Sequence, residues 1–227
     1  MRIIDKEILE LKNEIAEMFD LVQHQLARSL HAIQYFNQES AKEVMLYEKR
    51  INSQELVIDK ACEQFVVKFN PVAVDMRFAF ATFKINSHLE RLGDNAKGIA
   101  RFVKELDKGF DSNLMERLQL SDMIELGLQM TKLNLDAYLN DDTSTAKLVF
   151  ELDHKIDIIN FNATDIITNY MKENIDEIKP CLSLISTIRK LERVGDLNLN
   201  IAEEIVFYVD AKVMKHSKEF KLKNKEK

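Results

Sequence analysis

LERLGD at 89–94 and LERVGD at 191–196 are one hexapeptide written twice, 102 residues apart. Each sets a glutamate and an aspartate four residues apart, Glu90/Asp94 and Glu192/Asp196. In a helix such a pair shares one face at about 6 Å. Each also carries a glycine before the aspartate, which costs a helix interior about 1 kcal/mol relative to alanine. A chain that keeps an unfavourable string twice is using it, and its surroundings show for what.

A second string recurs upstream. AKEVMLYEKRIN (41–52) aligns with AKLVFELDHKID (146–157) at an offset of 105. It supplies Asp153/Asp157 in the second half and Glu48/Asn52 in the first. Two motifs at nearly constant offset mark an internal repeat. Apolar residues at steps of three and four run from Ile4 to Ile33, and a second such pattern ends at Asn70-Pro71. Proline lacks the donor that a helix interior needs, and it disfavours helix in the residue before it. A third pattern covers roughly 73–106, and DKGFDSN (107–113) reads as a linker. Leu114 to Leu139 is amphipathic, NDDTST (140–145) is a turn, a further helix runs to about Tyr170, and Pro180 opens the last. The expectation is an all-α protein of two pseudo-symmetric three-helix bundles, at 1–108 and 113–211, followed by a lysine-rich tail at 212–227.

Composition supports this reading and closes other routes. Five glycines and two prolines in 227 residues leave little room for a turn-rich β protein. No apolar run approaches the 18 or more residues of a membrane span, and the N-terminus lacks the continuous apolar stretch of a signal peptide. The formal charge of −6 argues against nucleic acid as a partner. The tail holds seven lysines against two glutamates, so the other residues carry −11. Cys62 and Cys181 form no metal-type pair or disulfide framework and read as buried small hydrophobes.

The acids follow seam residues, Glu90 after Leu89 and Asp153 after Leu152, so they sit where neighbouring helices meet. Carboxylates converging there repel one another and need a cation, either an arginine or a metal. The bland reading makes them solvated surface groups or partners for Arg50, Arg91, Lys155 and Arg193. If the cation is a metal, an all-oxygen set suits magnesium, manganese or calcium and is compatible with carboxylate-bridged iron. The glycines would admit a close approach, either of a helix or of an ion. Glu151-x-x-His154 has the spacing of a di-iron motif but has no counterpart in the first half, where Leu46 and Lys49 stand.

The doubled LERxGDxxxxIA, the acidic pairs about forty residues upstream and NPVAVDMR at 70–77 together resemble the PhoU family over nearly the whole chain. The resemblance implies a cytoplasmic, non-enzymatic negative regulator of phosphate uptake and phosphate-starvation signalling. Its partners would be the phosphate ABC transporter ATPase and a sensor histidine kinase, reached as a homodimer with only peripheral membrane association. It also implies divalent metal (iron, zinc, manganese or magnesium) on Glu48, Glu90 and Asp94 in one site and on Asp153, Asp157, Glu192 and Asp196 in the other. Asn52 offers an amide in place of a carboxylate, so the first site is expected to be the weaker. Two other readings share these features: a metal-dependent enzyme or metal-storage bundle, and a regulatory domain of a phosphate cotransporter.

Overall fold

The computed structural model describes residues 2–214, and all regular structure among them is helical. Seven α-helices follow in order: α1 Ile3–Gln34, α2 Gln38–Phe69, α3 Val74–Glu105, α4 Ser112–Arg117, α5 Leu120–Asn140, α6 Thr143–Glu173 and α7 Ile178–Asp210. A 3-10 turn, Ile175–Glu177, leads into α7. Helices α1, α2 and α3 pack on one another, as do α5, α6 and α7. The two bundles join where α3 lies along α7 and α1 along α5. Each buries an apolar stripe of 3.6-residue period: Ile15, Phe19, Val22 and Leu26 on α1, for example, and Leu184, Ile188 and Leu191 on α7. Cys62 and Cys181 are free and buried, and burial raises the Cys62 thiol to about 12.

The repeat extends to the turns. Between α1 and α2 the Asn37 N–H donates to Ala32 O at 2.9 Å; between α5 and α6 the Asp142 N–H donates to Ala137 O at 3.0 Å. Both pairs stand 105 residues apart and close the preceding helix in the same way. Each is preceded by one residue with positive φ, Phe36 (47°) or Asp141 (54°). Asn37 and Asp142 then cap the next helix, accepting from the Ser40 N–H and from the Ser144 and Thr145 N–H groups. These turns fix the register of α2 and α6, and with it the height of Glu48 and Asp153.

The continuous segment expected over Leu114–Leu139 is instead two helices, broken at Leu118-Gln119, where Gln119 has φ 50°. Leu118 and Leu120 are both buried, yet residues two apart point about 200° apart on an unbroken helix. The break turns both inward. Pro180 is the third residue of α7, within the first turn, where an absent N–H costs no helical bond. Most of the lysine-rich tail expected from 212 onward lies outside the described residues.

A polar clasp crosses between the bundles at one end. Lys12 on α1 pairs with Asp141 at 2.6 Å, and the Tyr208 hydroxyl donates to the same carboxylate at 2.6 Å. Thr82 and Tyr138 share a hydrogen bond of 2.8 Å, and the ring of Phe78 stacks on Tyr138 and meets Tyr208 edge-on. Further along the seam Lys84 pairs with the buried Glu204 at 3.1 Å. Arg77, in the NPVAVDMR segment, donates from Nε to the Tyr208 carbonyl at 3.4 Å, so this segment also reaches α7.

Candidate metal centres on two acidic seams

Helices α2 and α3 bring the first acids together. Oxygen atoms of Glu48, Glu90 and Asp94 lie within 4.8 Å of one another, and among the described residues they form the only such group of three or more metal-type side chains. The i,i+4 geometry orders them by depth: Glu48 is buried, Glu90 half-buried and Asp94 exposed, with Asn52 outward on α2. Burial, then the negative charges of Asp94, Glu55 and Glu48, raise the Glu90 carboxyl to about 7.

A chain cation already touches this cluster. Lys97 Nζ donates to Glu48 Oε1 at 2.9 Å and to Asp94 Oδ1 at 3.3 Å. The Glu48 hydrogen bond is the main cause of a raised Lys97 pKa, so the ammonium stays charged. The other Glu48 oxygen accepts from Gln25 Nε2 at 3.1 Å. Gln25 is fully buried on α1, and its Oε1 has no partner in the protein.

Helices α6 and α7 present the second set at homologous positions. Asp153 and Glu192 are half-buried; Asp157 and Asp196 are exposed. Burial, then Asp157, Asp196 and Glu192, push Asp153 up to about 7. Burial is also the main cause of raised pKa values at Asp157, Glu192 and Asp196, and Asp157 acts further on both Glu192 and Asp196. All four acids therefore share one field of negative charge, offset only in part by Arg193 and His154, although no three of them close to 4.8 Å. His154 is exposed and lowers Asp157 through its charge; Glu151, its partner in the di-iron spacing, is also exposed.

The glycines have a steric account. A Cβ on Gly93 would lie 2.8 Å from Gln25 Oε1 and 3.1 Å from Ile51 Cδ1. On Gly195 it would lie 2.8 Å from Asp153 Oδ1 and 3.3 Å from Ile156 Cδ1. Ile51 and Ile156 are repeat counterparts, so the neighbouring helix approaches closely in both halves, and a polar side chain of each acidic seam lies against the glycine.

Arg91 and Arg193 do not clamp these carboxylates. With Lys190, Asp94 and Asp196 they line a groove of about 690 Å³ between α3 and α7, yet neither guanidinium forms an ion pair among the described residues. Arg193 instead acts without pairing, its charge partly offsetting the effect of burial at Glu192 and Asp196.

Sequence reasoning missed a polar extension of the first seam. Asn86 on α3, fully buried, donates to Asp59 Oδ1 at 2.8 Å and to the Glu55 carbonyl at 2.9 Å. Burial, then Asp59 and Asp94, raise the Glu55 carboxyl. The corresponding residues in the second half are Asn160, Thr164 and Ile188, none of them acidic. The signal was present: Glu48, Glu55 and Asp59 recur at steps of seven and four, which is one helix face.

Fold and site together define a class: an all-helical tandem repeat whose two bundles each carry a carboxylate seam between their last two helices. Comparison with known proteins makes the class specific. The PhoU domain family matches residues 15–103 and 120–205, and the chain belongs to that family. It is 29% identical over 213 residues to a Burkholderia protein named phosphate-specific transport system accessory protein PhoU homolog, covering 93% of this chain and 91% of the relative. A Zymomonas mobilis protein of the same name is 31% identical, covering 94% and 90%. The crystal structure of PhoU from Pseudomonas aeruginosa aligns with TM-score 0.83 at 26% identity, over 92% of this chain and 99% of that one. That of the phosphate transport system regulatory protein PhoU from Streptococcus pneumoniae aligns with TM-score 0.84 at 25% identity, over 93% and 99%.

Proposed function

We propose that this protein is a non-enzymatic accessory protein of a phosphate-specific transport system, a negative regulator of phosphate uptake and starvation signalling. It would act in the cytoplasm as a homodimer, contacting the transporter ATPase and a sensor histidine kinase. The reading is supported by family membership over both halves and by the names of relatives covering nine-tenths of the chain. No described helix is long and apolar enough to cross a membrane, which is compatible with an accessory role beside membrane partners.

The observation that carries the metal part is the duplicated seam, where acidic side chains converge at homologous positions and raise one another's pKa. The donor set fits a divalent ion. It is all oxygen, it mixes half-buried and exposed carboxylates, and at α6/α7 it lacks a compensating lysine. Glu48, Glu90 and Asp94 would hold metal at the first seam; Asp153, Asp157, Glu192 and Asp196 would hold it at the second. A bound ion would supply positive charge that neutralises the seam and ties the second helix of each bundle to the third. The chain itself sets the spacing through the capped turns before α2 and α6, and admits Asp153 beside Gly195.

Affinity capture with the purified chain from a membrane extract of its host, together with deletion of its gene, tests the regulatory reading. Recovery of the phosphate transporter ATPase or the kinase, with phosphate-responsive genes derepressed on deletion, is the expected result. Capture of neither, with unchanged expression, overturns it. Metal-dependent turnover of a phosphoester or of oxygen, lost in Glu192→Ala, would favour the enzyme reading instead.

A further inference from the structure

The two seams share a backbone plan but differ in what stands one turn beyond the acids. In the first, Lys97 lies three residues after Asp94 on α3 and spans to Glu48 on α2, at 2.9 Å from one carboxylate and 3.3 Å from the other. In the second, the equivalent position 102 residues on is Leu199, which brings no charge. Glu48 cannot easily turn away from the lysine, because Gln25 holds its second oxygen at 3.1 Å from a fully buried position. The second half has Met130 where the first has Gln25, so Asp153 has no such tether.

An ammonium and a divalent ion cannot both take the space between these carboxylates. Metal–oxygen bonds are about 2.0–2.6 Å long, so an ion on Glu48 and Asp94 would lie within a few ångströms of Lys97 Nζ, and like charges at that range repel strongly. Lys97 is 42% exposed at its side chain, so it can leave. Displacing it exchanges a chain cation for a soluble one.

We infer that Lys97 is an internal counter-ion that competes with divalent metal for the first seam, so that the duplicated sites load unequally. Metal fills α6/α7 first and enters α2/α3 only by displacing the lysine. The inference rests on the metal reading above and assigns a specificity-determining role to a residue outside the acidic pairs.

The test isolates the first seam by placing Asp157→Asn and Asp196→Asn in the full-length chain, then adds K97L, the residue type of the second half, or K97R, which keeps the charge. Mn2+ binding is followed by electron paramagnetic resonance, and the chelator-stripped proteins are also compared by thermal unfolding. K97L is expected to bind Mn2+ at least about tenfold more tightly than K97R and than the unaltered Lys97 background. Without metal, K97L should melt below K97R, because Glu48 and Asp94 have lost their counter-ion, and Mn2+ should restore it. Should K97L fold poorly, Lys97→Gln is read in the same way. Equal affinity in the leucine or glutamine variant and in K97R, while the chain without Asp157→Asn and Asp196→Asn binds Mn2+ at α6/α7, overturns the inference alone. Absence of Mn2+ binding in every form, that chain included, overturns the metal reading and the inference with it.

Discussion

The α2/α3 and α6/α7 seams descend from one plan and have come to hold charge differently. The first has three converging carboxylates, with Glu55 and Asp59 further along α2, an outward Asn52, a tethering Gln25 and a lysine across two of the acids. The second has four carboxylates, all with raised pKa, and Met130 and Leu199 in place of the glutamine and the lysine. The first is the tighter group in space, and the reason is visible: Lys97 draws Glu48 and Asp94 toward one nitrogen. The second is more open: among the described residues no ion pair spans it, and only the unpaired charges of Arg193 and His154 offset its repulsion. Proximity of acids is thus not the same as unpaired charge, and the proposed order of metal loading follows the latter.

The largest expected effect comes from removing that charge. Asp157→Asn with Asp196→Asn should abolish most of the divalent metal that co-purifies with the chain, whereas Glu90→Gln should remove little. Elemental analysis of protein prepared without chelator reads both, and equal losses would make the seams equivalent.

The next effect concerns pH. The Asp153 carboxyl titrates near 7 in the fold against an ordinary 3.8, so its ionisation opposes folding. Below about pH 4 the carboxyl is protonated in both states and this cost is absent. It grows as pH rises toward 7 and is constant above. Asp153→Asn should therefore stabilise the metal-free protein near pH 8, by about 1–2 kcal/mol after allowance for solvent screening, and leave it unchanged near pH 4. Chemical denaturation at the two values measures it. With metal bound the sign should reverse, since the variant lacks a ligand.

Gly195→Ala sharpens the comparison further. The new methyl must displace the Asp153 carboxylate from 2.8 Å, where at Gly93 it would press on the uncharged Gln25 amide. Overpacking typically costs 1–3 kcal/mol, partly offset by about 1 kcal/mol of helix propensity. Both alanine variants should lose stability modestly, but only Gly195→Ala should also weaken metal binding markedly. The smallest effect is expected from Asn52→Asp, which restores the acid count of the first seam with Lys97 still present. It should tighten Mn2+ there only a few-fold.

The helices and the repeat were legible because their signals are local: a 3.6-residue stripe, a proline stop, and two strings at offsets of 105 and 102. The acids could be placed on seams because Glu90, Asp153 and Glu192 each follow a buried leucine and Asp157 a buried isoleucine. What escaped was set by contacts across helices. Gln25 comes from α1, outside either motif, and nothing in its sequence neighbourhood marks it as a tether for Glu48. The break at Gln119 depends on two leucines both finding the core, a tertiary demand that outweighs a continuous amphipathic pattern. The glycines illustrate the division well. Their cost could be read from sequence, while their cause, an isoleucine of the next helix and a polar side chain of the seam, needed the packing.

Whether one duplicated plan holds two unequal cation sites is decided by anomalous diffraction from crystals of the chain soaked at increasing Mn2+. Density is expected among Asp153, Asp157, Glu192 and Asp196 at the lowest concentrations, with Lys97 still on Glu48 and Asp94. Density first or equally between Glu48, Glu90 and Asp94, or at neither seam, would contradict that expectation.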